Sequence, residues 1–221
     1  MHKCELNELK MLFRWYWNKH VYFKKEFLRL CQDFCFDKLY KINTMGNYIK
    51  YCSNINEDIT IYLPTGYKNI QNILNSIKLR NQDIFVDFGC GKGRTVFLAS
   101  LRKIKKAVGI EYNHELFKDA LKNKKKFKFN KSEIKILYLD AAKYKITDET
   151  IFFFFNPFGL KTLNKILNNI KKSLKYNPRK IYIIYHADRG VYSFLKTKKW
   201  LIEEKSMVER TSIWRNKFFV K

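Results

Sequence analysis

The chain has 221 residues, with 45 Lys and Arg against 20 Asp and Glu, a formal charge of +25, and 46% hydrophobic residues. That length suits one domain with a small appended unit. No apolar run reaches about 18 residues and the start "MHKCELNELK" lacks a signal-peptide pattern, so the expected location is cytoplasmic. Five cysteines at unrelated spacings, without C-x-x-C, signal neither a disulfide framework nor a metal site. Lysine, asparagine, isoleucine, phenylalanine and tyrosine are abundant while Pro (3) and Gly (8) are scarce, the skew of an AT-rich genome. Part of the lysine excess therefore has a genomic origin, although such a surface attracts polyanions whatever its source.

Residues 8–40 show helical periodicity. Leu9, Leu12, Phe13, Tyr16 and Trp17 share one face, and Phe23, Phe27, Leu30, Cys31, Phe34 and Cys35 another. The pattern predicts two amphipathic helices or one bent helix packed on a core, with Cys31 and Cys35 as small core residues. The aromatic and basic "FRWYWNKHVYFKK" also has the composition of a membrane-interface helix. A looser stretch, "TMGNYIKYCSNINED" at 44–58, marks the boundary of an N-terminal helical cap or lid, residues 1–58, before a main domain, residues 59–221.

"LPTGY" (63–67) turns the chain, and Ile70, Ile73, Leu74 and Ile77 mark a helix. Short apolar runs then alternate with helical patterns: "IFVDF" (84–88), "KAVGIEY" (106–112), "IKILYLD" (134–140), "IFFFFN" (151–156) and "IYIIYH" (181–186), with helices near 94–102, 113–126 and 160–174. The tail "WLIEEKSMVERTSIWRNKFFVK" reads as two adjacent antiparallel strands. These signals predict an α/β fold: a Rossmann-like, doubly wound, mostly parallel seven-stranded sheet with an antiparallel C-terminal edge. The lysine-rich "LKNKKKFKFNK" (121–131) suits either a solvated helix end or a contact with nucleic acid.

Ligands of such sheets bind beyond the carboxyl ends of the strands. Those ends carry Asp87 with the glycines of "DFGCGKGR", then Glu111, Asp140, Asn156-Pro157 and Tyr185-His186. The G-x-G-x-G spacing of Gly89, Gly91 and Gly93 differs from the G-x-G-x-x-G of dinucleotide sites.

Together these ends resemble the class I, seven-strand methyltransferases that use S-adenosylmethionine, over about residues 60–221. "VDFGCGKGR" matches the first motif, Glu111 in "VGIEY" the ribose-binding acid, "LDAA" (139–142) the third motif and "NPFG" (156–159) the fourth. "YLPTGY" resembles small bacterial members with a D-x-G-C-G-K-G-R pattern. The resemblance implies S-adenosylmethionine as cofactor, S-adenosylhomocysteine as product, and a cofactor site built from Asp87, Gly89, Cys90, Gly91, Gly93, Glu111, Tyr112, Asp140, Ala141 and Asn156. Lys92 and Arg94 are placed either on the cofactor carboxylate or on the surface.

Amino-group methyltransferases carry a related N-P-P-[YF] at the fourth motif, so the resemblance implies that Asn156, Pro157 and Phe158 hold the methyl acceptor. The expected acceptor is a nitrogen of a protein lysine or another amine. Alternatives are RNA, DNA or a small molecule as acceptor, or a non-catalytic, basic nucleic-acid-binding protein with this fold. His186, in "IIYHADRG" with Tyr185 and Asp188, is a candidate general base or a hydrogen-bonded structural histidine.

Overall fold

The computed structural model describes residues 24–46, 63–187 and 190–217. The periodicity of 9–17, Phe23, most of the 44–58 boundary stretch and Asp188 lie outside the described residues.

A helix over 24–40 (α1) is followed by α2 (Tyr67–Ser76), β1 (Ile84–Phe88), α3 (Arg94–Ser100), β2 (Lys106–Glu111), α4 (His114–Lys126) and β3 (Glu133–Tyr138). After a 3₁₀ turn (Ala141–Lys143) come β4 (Ile151–Phe155), α5 (Leu160–Tyr176), β5 (Tyr182–His186), α6 (Val191–Lys196), β6 (Leu201–Glu204) and β7 (Thr211–Asn216). Strand order is β3-β2-β1-β4-β5-β7-β6. The first five strands run parallel, and β7 and β6 pair antiparallel at one edge. The chain winds outward from β1 in both directions, which opens a crevice between the carboxyl ends of β1 and β4.

Alternation along the buried strands sorts side chains onto two faces. Phe85, Phe153 and Ile184 pack beneath α2, α3 and α4, while Val86, Phe152, Phe154 and Tyr185 pack beneath α5 and α6. This explains the four consecutive phenylalanines of β4, which serve both faces in turn. Phe88, Phe154 and Tyr185 line up across β1, β4 and β5, with ring centroids 5.0 and 6.1 Å apart. Helix α5 buries Leu163, Ile166, Leu167, Ile170 and Leu174, whereas Leu160 at its first turn is 47% exposed.

Helix α1 departs from its expected orientation. Phe27, Leu30 and Phe34 are 59%, 41% and 54% exposed, and Cys31 and Cys35 are exposed rather than in the core. The inward face is instead acidic: Asp33 and Asp37 are 2% and 5% exposed. The reason is a buried cation. Arg94, at the start of α3, donates from Nη1 to Asp33 Oδ2 at 2.7 Å and to the Thr65 carbonyl at 3.0 Å. Its Nε donates to Thr44 Oγ1 at 2.7 Å, and its guanidinium lies 4.5 Å from the Tyr67 ring centre. Asp37 accepts from the Thr44 amide (2.6 Å), the Thr44 hydroxyl (2.7 Å) and the Tyr67 hydroxyl (2.6 Å). Burial, then the Asp37 charge, pushes the Tyr67 hydroxyl far up, so it stays a donor. An isolated buried guanidinium would cost more than apolar packing of α1 returns, so the carboxylates turn inward.

Removing one member of a buried ion pair typically costs about 3–5 kcal/mol, because the other charge is left unpaired. Asp33→Ala is expected to lose that amount in urea unfolding, and Asp33→Leu combined with Arg94→Met far less. Equal losses would show that Asp33 acts through its other contacts.

Candidate functional site

The glycine segment leaves β1 at the crevice. The amides of Gly89 and Cys90 both donate to the Ile110 carbonyl, at 2.8 and 3.0 Å, which pins the turn to β2. Gly89 has φ 79°, and a Cβ there would stand 2.6 Å from Pro157 Cβ. The turn after β4 therefore packs directly on the glycine segment, which brings Asn156 and Pro157 to Gly89. Gly109 in β2 makes a second close approach: a Cβ would meet Cys90 Sγ at 2.7 Å and Val96 Cγ2 at 2.9 Å. The sequence marks Gly109 only as a strand residue, since nothing local shows that the glycine segment folds over it.

Glu111 closes β2 and is 8% exposed. Its Oε2 accepts from the Gly91 amide at 2.7 Å and its Oε1 from the Asn113 amide at 2.8 Å. Asn113 in turn caps α4, accepting from the amides of Glu115 (3.0 Å) and Leu116 (3.1 Å). The Tyr112 amide also bonds this carboxylate, so three main-chain donors hold Glu111 at the end of β2. Asp87 is 3% exposed and accepts from Thr95. Burial, followed by the Glu111 charge, pushes the Asp87 carboxyl from 3.8 up to about 8. Burial also raises Glu111, against its backbone hydrogen bonds, and burial with these two acids raises the Cys90 thiol. No salt bridge among the described residues includes Asp87 or Glu111.

The nearby cations face elsewhere. Lys92 and Arg94 are each 2% exposed, so neither is a surface residue. Lys92 Nζ donates to the Met45 carbonyl at 3.1 Å and lies 3.8 Å from Asp119. Asn123 on α4 joins the same seam, bonding the Asn43 amide and the carbonyls of Asn43 and Lys92. Residues 41–46 are thereby laid against the glycine segment. Two donors of this region are buried without a partner among the described residues, Arg94 Nη2 and Thr65 Oγ1.

Asp140 lies two residues past β3, where its Oδ1 caps the 3₁₀ turn through the Ala142 amide at 2.9 Å. Ala141 packs on the α5-side core, and Tyr112 beside Glu111 is 63% exposed. Asn156 has φ 44°, a left-handed conformation that asparagine tolerates better than most residues. The Tyr185 hydroxyl donates to its Oδ1 at 3.4 Å, and the Phe158 ring stands edge-on to Phe154 at 6.1 Å. His186 is 7% exposed, with Nδ1 2.8 Å from Thr211 Oγ1 and its ring 5.2 Å from Phe155. Burial, then the Arg210 charge, pushes its pKa down to about 4.

Residues 47–175 match the family model described as histone methylation protein DOT1. A curated protein-lysine N-methyltransferase from Saccharolobus islandicus is 41% identical over 63 residues, 28% of this chain and 39% of that protein. An RNA methyltransferase from Salinibacter ruber, solved with S-adenosylhomocysteine, superimposes with TM-score 0.50 and 21% identity, covering 72% of this chain and 95% of that one. A precorrin-8w decarboxylase from Methanobacterium thermoautotrophicum gives 0.51 and 20%, covering 71% and 92%. These structures share the sheet and its crevice, and their differing names show that the fold alone does not choose the reaction.

The Asp87 shift carries a signed pH dependence. Its contribution to stability is full below about pH 3.8, where both states are protonated, and is lost as pH rises to about 8. Asp87→Asn is expected to flatten that slope and to raise apo stability at pH 8, read by urea unfolding at pH 5 and 8; an unchanged slope would contradict a protonated Asp87. Gly109→Ala is expected to destabilise by about 1–3 kcal/mol through overpacking against Cys90 and Val96, read by the same unfolding assay, with no loss if the segment yields freely. The match to 129 of 221 residues shows that the chain belongs to the DOT1 family, within the class I, seven-strand methyltransferases.

Proposed function

We propose that this protein is an S-adenosylmethionine-dependent methyltransferase that acts on the nitrogen of a protein lysine or another amine. The observation that carries the cofactor reading is the pair of buried carboxyls, Asp87 and Glu111, at the glycine segment without a cation between them. A cofactor bearing an ammonium group suits that pair, because its charge offsets the burial and then the Glu111 repulsion that push Asp87 up. Asp87 would take the ammonium, and the Glu111 carboxylate would accept from the ribose hydroxyls. Asp140, Ala141 and Tyr112 would border the adenine. Gly89, Cys90, Gly91 and Gly93 would let the main chain approach.

S-adenosylmethionine, when bound, supplies a methyl group activated by a sulfonium. The work left to the chain is to position a nitrogen lone pair and to exclude water, which can be worth about 7–11 kcal/mol. Asn156 is the positioning group: its carboxamide oxygen, steadied by Tyr185, accepts an N–H of the acceptor and aims its lone pair. Pro157 fixes that asparagine against Gly89, and Phe158 borders the acceptor. His186 is kept neutral and bonded to Thr211, so we assign it a structural role. A lysine acceptor must then shed its proton to solvent first, at about 4.6 kcal/mol at pH 7. The name of the Saccharolobus relative supports a lysine acceptor, although the match spans only 39% of that protein.

Calorimetry with S-adenosylmethionine tests the cofactor, and no binding at millimolar concentration would defeat the reading. Glu111→Ala is expected to weaken binding about 10- to 100-fold through two lost charge-assisted hydrogen bonds. Asn156→Ala should keep that affinity and lose about 100-fold or more in transfer of radiolabelled methyl to host lysate. Label removed by protease but not by nuclease identifies a protein acceptor; the reverse would place the acceptor on nucleic acid.

A further inference from the structure

The lysines of 121–131 play no part in the site described above; within the stretch only Asn123 braces the seam beside it. Helix α4 runs back from the site end of the sheet, and Lys124, Lys125 and Lys126 form its exposed last turn. Placing them at a helix C-terminus is favourable for the helix dipole, which accounts for the last turn alone. Lys128 and Lys131 extend the charge beyond the helix. The Lys131 amide donates to the Ser100 carbonyl at 2.7 Å, which brings this segment beside the end of α3 and Arg102. The flanking acids Asp119 and Glu133 are paired with Lys122 (3.0 Å) and Lys106 (3.2 Å). The stretch itself contains no acid.

Aromatic rings carry this surface onward. Phe129 is 43% exposed and meets the Tyr40 ring edge-on at 5.4 Å. Tyr40 stacks on Phe36 at 6.0 Å. Phe36 lines an open groove of about 660 Å³ between α1 and α2, together with Lys68 and Arg102. The remaining lining side chains are the carboxamides Gln32, Gln71, Asn72 and Asn75, with no carboxylate. Arg102 Nη2 donates to Asn75 Oδ1 at 2.7 Å at the groove's end.

We propose that this edge, from the α1–α2 groove across Arg102 to the lysine end of α4, binds single-stranded nucleic acid. Each component matches one part of such a strand. Lysines and Arg102 meet phosphates, Phe129 and Phe36 offer faces or edges to unpaired bases, and the carboxamides pair with base edges as donors and acceptors. An acidic protein would be met by the cations alone and has no use for the aromatic track or the amides. A duplex keeps its bases stacked away from both. None of its residues is assigned to the cofactor site, so it is a tether and stands independently of the methyl-transfer reading.

The test is fluorescence anisotropy with a labelled oligouridine of about a dozen nucleotides, titrated over a range of salt. Lys124→Gln, Lys125→Gln, Lys126→Gln and Lys128→Gln combined should weaken binding at least ~10-fold and shallow the salt slope by about 0.7 for each phosphate no longer neutralised. Phe129→Ala alone should weaken it about 10-fold, the worth of one stacked base. The control removes the same charge from the opposite face of the sheet, with Lys161→Gln, Lys165→Gln, Lys172→Gln and Lys175→Gln on α5, and should change affinity less than about two-fold. Equal weakening by the control would overturn the proposal in favour of net charge. Unchanged affinity in Phe129→Ala, or polyglutamate binding as tightly as RNA of equal charge, would overturn it equally. All substituted side chains are exposed, and matching thermal unfolding confirms that the variants fold.

Discussion

The buried guanidinium of Arg94 is the constraint around which the amino-terminal half assembles. Its partners come from α1, the 41–46 segment, the turn before α2 and the Tyr67 ring, which are brought together from separate parts of the chain. A charge at 2% exposure is tolerable only where hydrogen bonds replace its water, so these pieces must arrive together. The consequence reaches the site. Arg94 directly follows Gly93, and Lys92 just before it is drawn toward Met45 and Asp119. The glycine segment is therefore held by two cations facing away from the crevice. What meets Glu111 is main chain and what meets Asp87 is the Thr95 side chain, while burial and then the Glu111 charge oppose ionisation of Asp87.

The sheet is legible in the sequence because its signal is local. A parallel strand buried on both faces must be apolar at successive positions, and β1, β2, β4 and β5 display that directly. The strand ends are legible for the same reason: an acid or an Asn-Pro at the end of an apolar run stands out. Helix α6 gives no such signal, because six residues barely complete a helical period. The orientation of α1 is hidden for a deeper reason. Periodicity reports which face is apolar, and burial is ordinarily inferred from that. Here Asp33 is turned inward by an arginine 61 residues later, and no local pattern records such a pairing. Gly109 is the same lesson in small: its missing side chain makes sense only once Cys90 is seen above it.

Charge shows most clearly what position adds to composition. A total of +25 drawn partly from codon usage chooses no partner, and screening over about 8 Å at physiological salt means that each surface is felt largely by itself. Resolved by place, the charge is uneven. The carboxyl ends gather Asp87, Glu111 and Asp140, and the lysines of 124–131 form a run without an acid, while Asp83, Glu133, Asp148 and Glu149 stand at the amino-terminal ends of β1, β3 and β4. A positively charged amine approaching a uniformly basic protein would be repelled. A polyanion experiences the converse. The acid-bearing strand ends and the lysine run thus present different local fields, which is why the net charge alone chooses no partner.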